Sequence, residues 1–168
     1  MDDAGDEALL LDLLNTTPVV DGVQTDLLGQ WAEARDWMSQ RAIGDDVEQW
    51  RVLLMARSLL QNVIRGEQPP SALSAILDRV RYLPMVVDSR VQWSIETLDG
   101  GSEFAARCVM AWDRLQCNSP ARLRPCANTE CRLFLIDRSK PNTARWCSMA
   151  SCGNRMKARR HHLRQRTR

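Results

Sequence analysis

No stretch of this 168-residue chain approaches the roughly 18 consecutive apolar residues of a membrane-spanning helix. Its early apolar run, Ala8 to Leu11, is interrupted by Asp12. The N-terminus, Met1-Asp2-Asp3-Ala4-Gly5-Asp6-Glu7, is acidic where a secretory leader is positive. Membrane insertion and secretion are therefore not expected; a soluble, cytoplasmic protein is. Enzyme signatures are missing too: no nucleophile elbow, P-loop, Rossmann glycine motif or His-Glu-x-x-His, so an enzyme is not expected. Acidic residues are scarce near the C-terminus, where residues 121–168 hold 13 Lys/Arg against only Glu130 and Asp137.

That scarcity divides the chain. The overall charge of +2 conceals +11 over residues 121–168 and −9 over residues 1–120. Such asymmetry points to a nucleic-acid or membrane contact on the basic side, or to a solvated basic tail lying against an acidic body. The length suits one medium domain or a domain with a small appendage. A hydrophobic content of 44% is enough to bury a core.

Helical spacing and capping residues organise the first 119 residues. A short helix is expected over Ala8–Asn15, followed by a loop at Pro18-Val19-Val20-Asp21-Gly22. Thr25 is the expected N-cap of a helix reaching Arg41, with Leu27, Leu28, Trp31, Ala34 and Met38 on one face. Asp45 or Asp46 caps the next helix, which runs to Arg65 and stops at Gly66. Ser71 caps a shorter helix carrying Leu73, Ile76 and Val80, broken by Pro84. Met85–Val87 and Val91–Ile95 form a hairpin around Asp88-Ser89-Arg90. Asp99-Gly100-Gly101 is a turn. Ser102 begins a helix lined by Phe104, Cys108, Val109, Trp112 and Leu115, ending at Asn118-Ser119-Pro120. The tryptophans Trp31, Trp37, Trp50, Trp93 and Trp112 read as core rather than as a ligand cage. Cys108 and Cys117 read as inert core or helix-end residues. A domain boundary follows at 119/120, where the charge changes sign.

The remaining cysteines are spaced Cys126-x4-Cys131, fifteen residues, then Cys147-x4-Cys152. A reducing compartment disfavours disulfides, and zinc favours four tetrahedral thiolate or imidazole ligands in closed structural sites. Each short pair aims two sulfurs at one point. The spacer is expected to form a strand over 132–137, a turn over 138–142 and a second strand over 143–146. A helix is expected from about Gly153. Metal binding would supply the folding free energy that about 48 residues with few large apolar groups lack. His161 and His162 are surplus to a filled site. Along the last helix, Arg155, Arg159, His162 and Arg166 share one face, while Met156 and Leu163 mark the face that packs down. The candidate nucleic-acid contacts are Lys140, Arg145, Arg155, Lys157, Arg159, Arg160, Arg164 and Arg166, and arginine suits bidentate phosphate binding.

Trp146-Cys147-Ser148-Met149-Ala150-Ser151-Cys152-Gly153-Asn154-Arg155-Met156-Lys157 resembles the signature of the CGNR zinc-finger family. Cys126-x4-Cys131, Phe134…Asp137-Arg138-Ser139 and the downstream basic residues match as well. More weakly, Leu11-Asp12-Leu13-Leu14-Asn15-Thr16, Asp26-Leu27-Leu28 and the helix ending near Cys117 resemble the ABATE domain that precedes this finger. The resemblance implies a bacterial, cytoplasmic, stress-related transcription regulator with zinc on the four cysteines. One departure is Ala144, where a second basic residue beside Arg145 is expected.

The fold class that follows is α+β, mainly α. A helical domain with a small β-hairpin (1–119) precedes a treble-clef-like four-cysteine finger (120–168) made of a β-hairpin and a basic helix. The expected partner is duplex DNA, with RNA or an acidic protein as alternatives. Asp12, Asn15 and Thr16 either line a pocket for an unknown small-molecule effector or cap a helix end. A single recognition helix often gains specificity by homodimerising, but the sequence marks no dimer face.

Overall fold

The computed structural model describes residues 3–20, 22–78, 80–98 and 103–166. About half of the chain is helical, and among the described residues there are three two-stranded antiparallel hairpins, so the fold mixes α and β. The helices are α1 (Asp3–Leu14), α2 (Trp31–Ser39), α3 (Val47–Arg65), α4 (Ser74–Leu77), α5 (Glu103–Asn118) and α6 (Asn154–Arg166). The hairpins pair β1 (Val19–Val20) with β2 (Val23–Gln24), β3 (Val80–Val87) with β4 (Arg90–Thr97), and β5 (Leu123–Pro125) with β6 (Phe134–Ile136).

Helix α3 forms where its caps dictate. The Asp46 carboxylate accepts from the Glu48 N–H, and Gly66 takes the left-handed conformation at φ 76° that closes the other end. Its buried face (Leu53, Ala56, Leu60) meets α1 (Leu10, Leu13, Leu14) and α5 (Phe104, Ala105, Cys108, Val109, Ala111, Leu115) in one core. Leu123 and Phe134, from β5 and β6, belong to that same core. Cys108 is wholly buried and Cys117 is exposed at the end of α5, as expected of them.

Several elements differ from the sequence expectation. The segment 18–22 is not simply loop, because Val19 and Val20 pair with Gln24 and Val23. The helix expected from Thr25 begins only at Trp31. Thr25 hydrogen-bonds to the Pro18 carbonyl through both its N–H and its hydroxyl, and the Asp26 carboxylate accepts from the Leu28 N–H. These local bonds hold the segment in turns. The helix expected from Ser71 to Pro84 is a 3₁₀ turn (Pro70–Leu73) and the one-turn α4, after which Val80 starts a strand. Pro84 lies inside that strand opposite Trp93. Trp37 is core, and Trp31, Trp50 and Trp112 pack against it half-buried, but Trp93 is 59% exposed. The turn expected at Asp99-Gly100-Gly101 and the helix start at Ser102 lie outside the described residues.

The largest change falls between the cysteine pairs. Residues 134–136 do form a strand, but its partner is 123–125 rather than 143–146. The hairpin therefore wraps the first cysteine pair. Residues 143–146 instead turn back over Asp137, whose carboxylate accepts from the Ala144 N–H at 2.7 Å.

Candidate metal centre and basic face

The β5–β6 hairpin ends in a tight knuckle that carries Cys126 and Cys131. The Cys126 N–H donates to the Leu133 carbonyl, and the Cys131 N–H to the Asn128 carbonyl. Asn128 is fully buried in this turn; its side-chain oxygen accepts from the Glu130 N–H. The second pair sits at the start of α6. The Ser148 hydroxyl accepts from the Ser151 N–H, capping a wide π turn over Met149–Gly153 that leads into α6. Cys147 precedes this turn and Cys152 lies within it.

The four sulfurs all lie within 4.8 Å of one another. Cys147 is 3.7 Å from both Cys131 and Cys152. A tetrahedron of sulfurs about 2.3 Å from a central zinc has edges of about 3.8 Å, so the spacing fits a tetrahedral ion. A disulfide, at about 2.05 Å, is a different geometry, and all four thiols are free. Two N–H groups point at the sulfurs: the Asn128 amide at Cys152 and the Cys147 backbone at Cys126, both at 3.5 Å.

Electrostatics also call for a cation. Burial pushes the Cys131 thiol up to about 11, and burial with the neighbouring sulfurs raises Cys147 as well. Burial alone would raise Cys152, but hydrogen bonds from Asn128 and the other three thiols outweigh it and lower it. Four thiolates this close cannot all ionise without a positive ion between them. The cluster could thus hold a thiophilic metal, with Cys126, Cys131, Cys147 and Cys152 as ligands.

Around the cluster, a buried carboxylate organises the loop between the pairs. Asp137 accepts from the Ser139 and Ala144 N–H groups and from Arg124, which also bonds Asn142. The Ser139 side chain first, then these donors, hold its pKa down to about 2. Ala144 thus serves the loop through its backbone. Asn128 and Asp137 were not singled out from the sequence as site residues. The sequence signals for them are an amide between paired cysteines, and an acid ending an apolar strand within the stretch that resembles the family.

Lys140, Arg145, Arg155, Lys157, Arg159, Arg160, Arg164 and Arg166 are all exposed. Arg145 lies over the Trp146 ring at 5.3 Å, and Arg159 pairs with Glu130 at 2.9 Å across to the knuckle. Among the described residues, the side chains of Lys140, Arg155, Lys157, Arg160 and Arg166 make no hydrogen bond or ion pair. The continuous helix 154–166 places Arg155, Arg159, His162 and Arg166 along one face. Met156 is half-buried. The side chains of His161 and Leu163, and Arg168 as a whole, lie outside the described structure.

Asp12, Asn15 and Thr16 each bond to a different part of the fold. Asp12 pairs with Arg41 at 2.9 Å. The Thr16 hydroxyl donates to the Leu13 carbonyl at the end of α1 and accepts from Arg57. The Asn15 side chain accepts from the Phe134 N–H at 2.7 Å and donates to the Phe134 carbonyl at 3.3 Å. It joins α1 to β6. Arg65, over the Phe134 ring at 4.6 Å, and the Arg138–Glu7 pair strengthen the same junction.

Residues 122–165 match the family described as the CGNR zinc finger. The match encloses all four cysteines and the Cys152-Gly153-Asn154-Arg155 signature. No curated protein matches the chain. Among the described residues, no helix is long and apolar enough to cross a membrane.

Proposed function

We propose that this chain is a zinc-containing DNA-binding protein, acting as a bacterial, stress-related transcription regulator in the cytoplasm. Zinc is held by Cys126, Cys131, Cys147 and Cys152 in a treble-clef-like arrangement, with two ligands from a knuckle and two from a helix start. Residues 120–168 form the finger, and residues 1–119 an ABATE-like domain. The metal's role is structural: four ligands leave no open position for a substrate.

One observation carries this reading. The last cysteine of the cluster lies in the π turn that runs directly into the helix bearing the exposed arginines, so fixing Cys152 fixes where Arg155 and its successors point. A helix of 13 residues is about 20 Å long and fits the major groove of duplex DNA. A four-thiolate zinc centre carries a formal charge of −2, which nearby arginines such as Arg132 and Arg145 offset in part; the exposed side chains of Arg155, Arg160 and Arg166 on α6 are offered to phosphates.

Salt dependence tests the reading. Four or so phosphate contacts predict a log–log slope near −4 for duplex binding, and a flat response would contradict it. Replacing Arg155 and Arg159 by Ala should flatten the slope by about 2 without releasing metal. Parallel selection from random DNA and RNA pools separates the duplex reading from RNA binding.

A further inference from the structure

The β3–β4 hairpin stands apart from the chemistry described above. Asp88 and Ser89, at φ 48° and 62°, make a two-residue turn closed by Val87 and Arg90. In such a hairpin the closing pair is hydrogen-bonded and the pattern alternates along the strands. Pairs 85–92 and 83–94 therefore bond within the hairpin. Pairs 86–91, 84–93 and 82–95 turn their backbone groups outward. Pro84 is one of these, so the outer edge of β3 lacks a donor at its middle, a common device for protecting an edge. The outer edge of β4 has no such device: Val91, Trp93 and Ile95 offer N–H and C=O groups, and no strand pairs with them among the described residues.

One face of the ribbon is apolar from the Tyr82–Ile95 pair through Pro84 and Trp93 to Val86 and Val91. Its base rests on α5, where the Tyr82 hydroxyl meets the Met110 sulfur and Tyr82 packs edge-on to Trp93 at 6.4 Å. Its outer half does not. Val86, Val91 and Trp93 are 77%, 61% and 59% exposed. With Pro84 they leave on the order of 400 Å² of contiguous apolar surface in water, a size that marks an interaction site. A two-stranded ribbon is also marginal without a further partner.

We propose that this edge and face bind a second copy of the chain, β4 against β4 about a two-fold axis at Trp93. The strand is self-complementary about that residue. Antiparallel pairing centred on Trp93 sets Arg90 opposite the partner subunit's Glu96, Val91 opposite the partner's Ile95, and Gln92 opposite the partner's Ser94. Opposite charges meet at both ends and apolar residues meet between them, as an isologous contact requires. Each tip, with Val86 and Val91, comes to lie beside the base of the other ribbon, on the face that α5 covers. The pairing also satisfies the outward backbone groups of Val91, Trp93 and Ile95 on both copies, which are otherwise left to water. Residues 80–97 carry Arg81 and Arg90 against Asp88 and Glu96, so the ribbon is neutral and unlike the charged surfaces elsewhere.

The test is independent of DNA binding. Sedimentation equilibrium of the full, zinc-loaded chain at high salt, across micromolar concentrations, should show a dimer. Val91→Lys places an unpaired charge in the contact and should raise the dissociation constant at least about a hundredfold, with the circular dichroism spectrum unchanged. A wild-type monomer, or a Val91→Lys dimer of undiminished strength, would overturn the proposal. Should Val91→Lys misfold, Trp93→Cys in a Cys117→Ser background decides. Cα atoms of a hydrogen-bonded antiparallel pair lie about 5.5 Å apart, within disulfide reach, so mild oxidation should link the two copies covalently. No covalent dimer would again overturn it.

Discussion

Replacing Asn15 with Ala should loosen the four-cysteine segment from the helices while leaving its metal site intact. The Asn15 amide meets the Phe134 backbone twice, accepting from its N–H at 2.7 Å and donating to its carbonyl at 3.3 Å. Phe134 is only 1% exposed, so water cannot readily replace either bond. A buried backbone group left without a partner costs about 1–3 kcal/mol, and the longer carbonyl contact belongs at the low end. The expected loss is about 2–3 kcal/mol, a fall in Tm of roughly 5–10 °C for a chain of this length. Asn15→Leu, which refills the volume without the amide, should lose about as much. Thermal unfolding followed by circular dichroism gives the shift, and metal content is measured on the same samples. A Tm within a degree of wild type would refute the reasoning and return Asn15 to the alternative of contacting a small molecule.

Other consequences follow from the same geometry. Asn128→Ala removes the amide aimed at Cys152 and should weaken zinc about 10–100-fold, as loss of a ligand's hydrogen-bond partner does; competition against a chromophoric chelator measures it. Asp137 is ionised in the folded chain down to about 2, below the ordinary 3.8. Its folded pKa is lowered, so its stabilising contribution is complete above 3.8 and disappears as pH falls from there toward 2. Asp137→Asn should lower Tm at neutral pH in zinc-loaded protein; an unchanged Tm would count against the assignment.

The parts legible in the sequence were those set by local chemistry. Asp46 and Gly66 bracket α3 because a cap acts within a turn of its own residue. The cysteine cluster was legible because two short spacings can serve one ion only by converging. The misread parts were decided by distant partners. Asp26 looked like the first turn of a helix, but it holds Arg57, 31 residues away, through two hydrogen bonds. The strand at 134–136 was expected to pair forward, yet Phe134 belongs to the helical core, and Asn15, 119 residues earlier, takes its backbone. Trp93 followed the compositional rule for aromatics, which does not say whether a strand has a layer beneath it. The side chains of Asn128 and Asp137 organise backbone turns, and a single sequence gives no periodicity by which to find such residues.

X-ray absorption at the zinc edge of the full-length protein tests the central claim most directly. A four-thiolate site means one zinc per chain with four sulfur neighbours at about 2.3 Å and no nitrogen or oxygen shell. Chain that binds no zinc stoichiometrically, or a first shell that contains imidazole nitrogen or water oxygen, would contradict it.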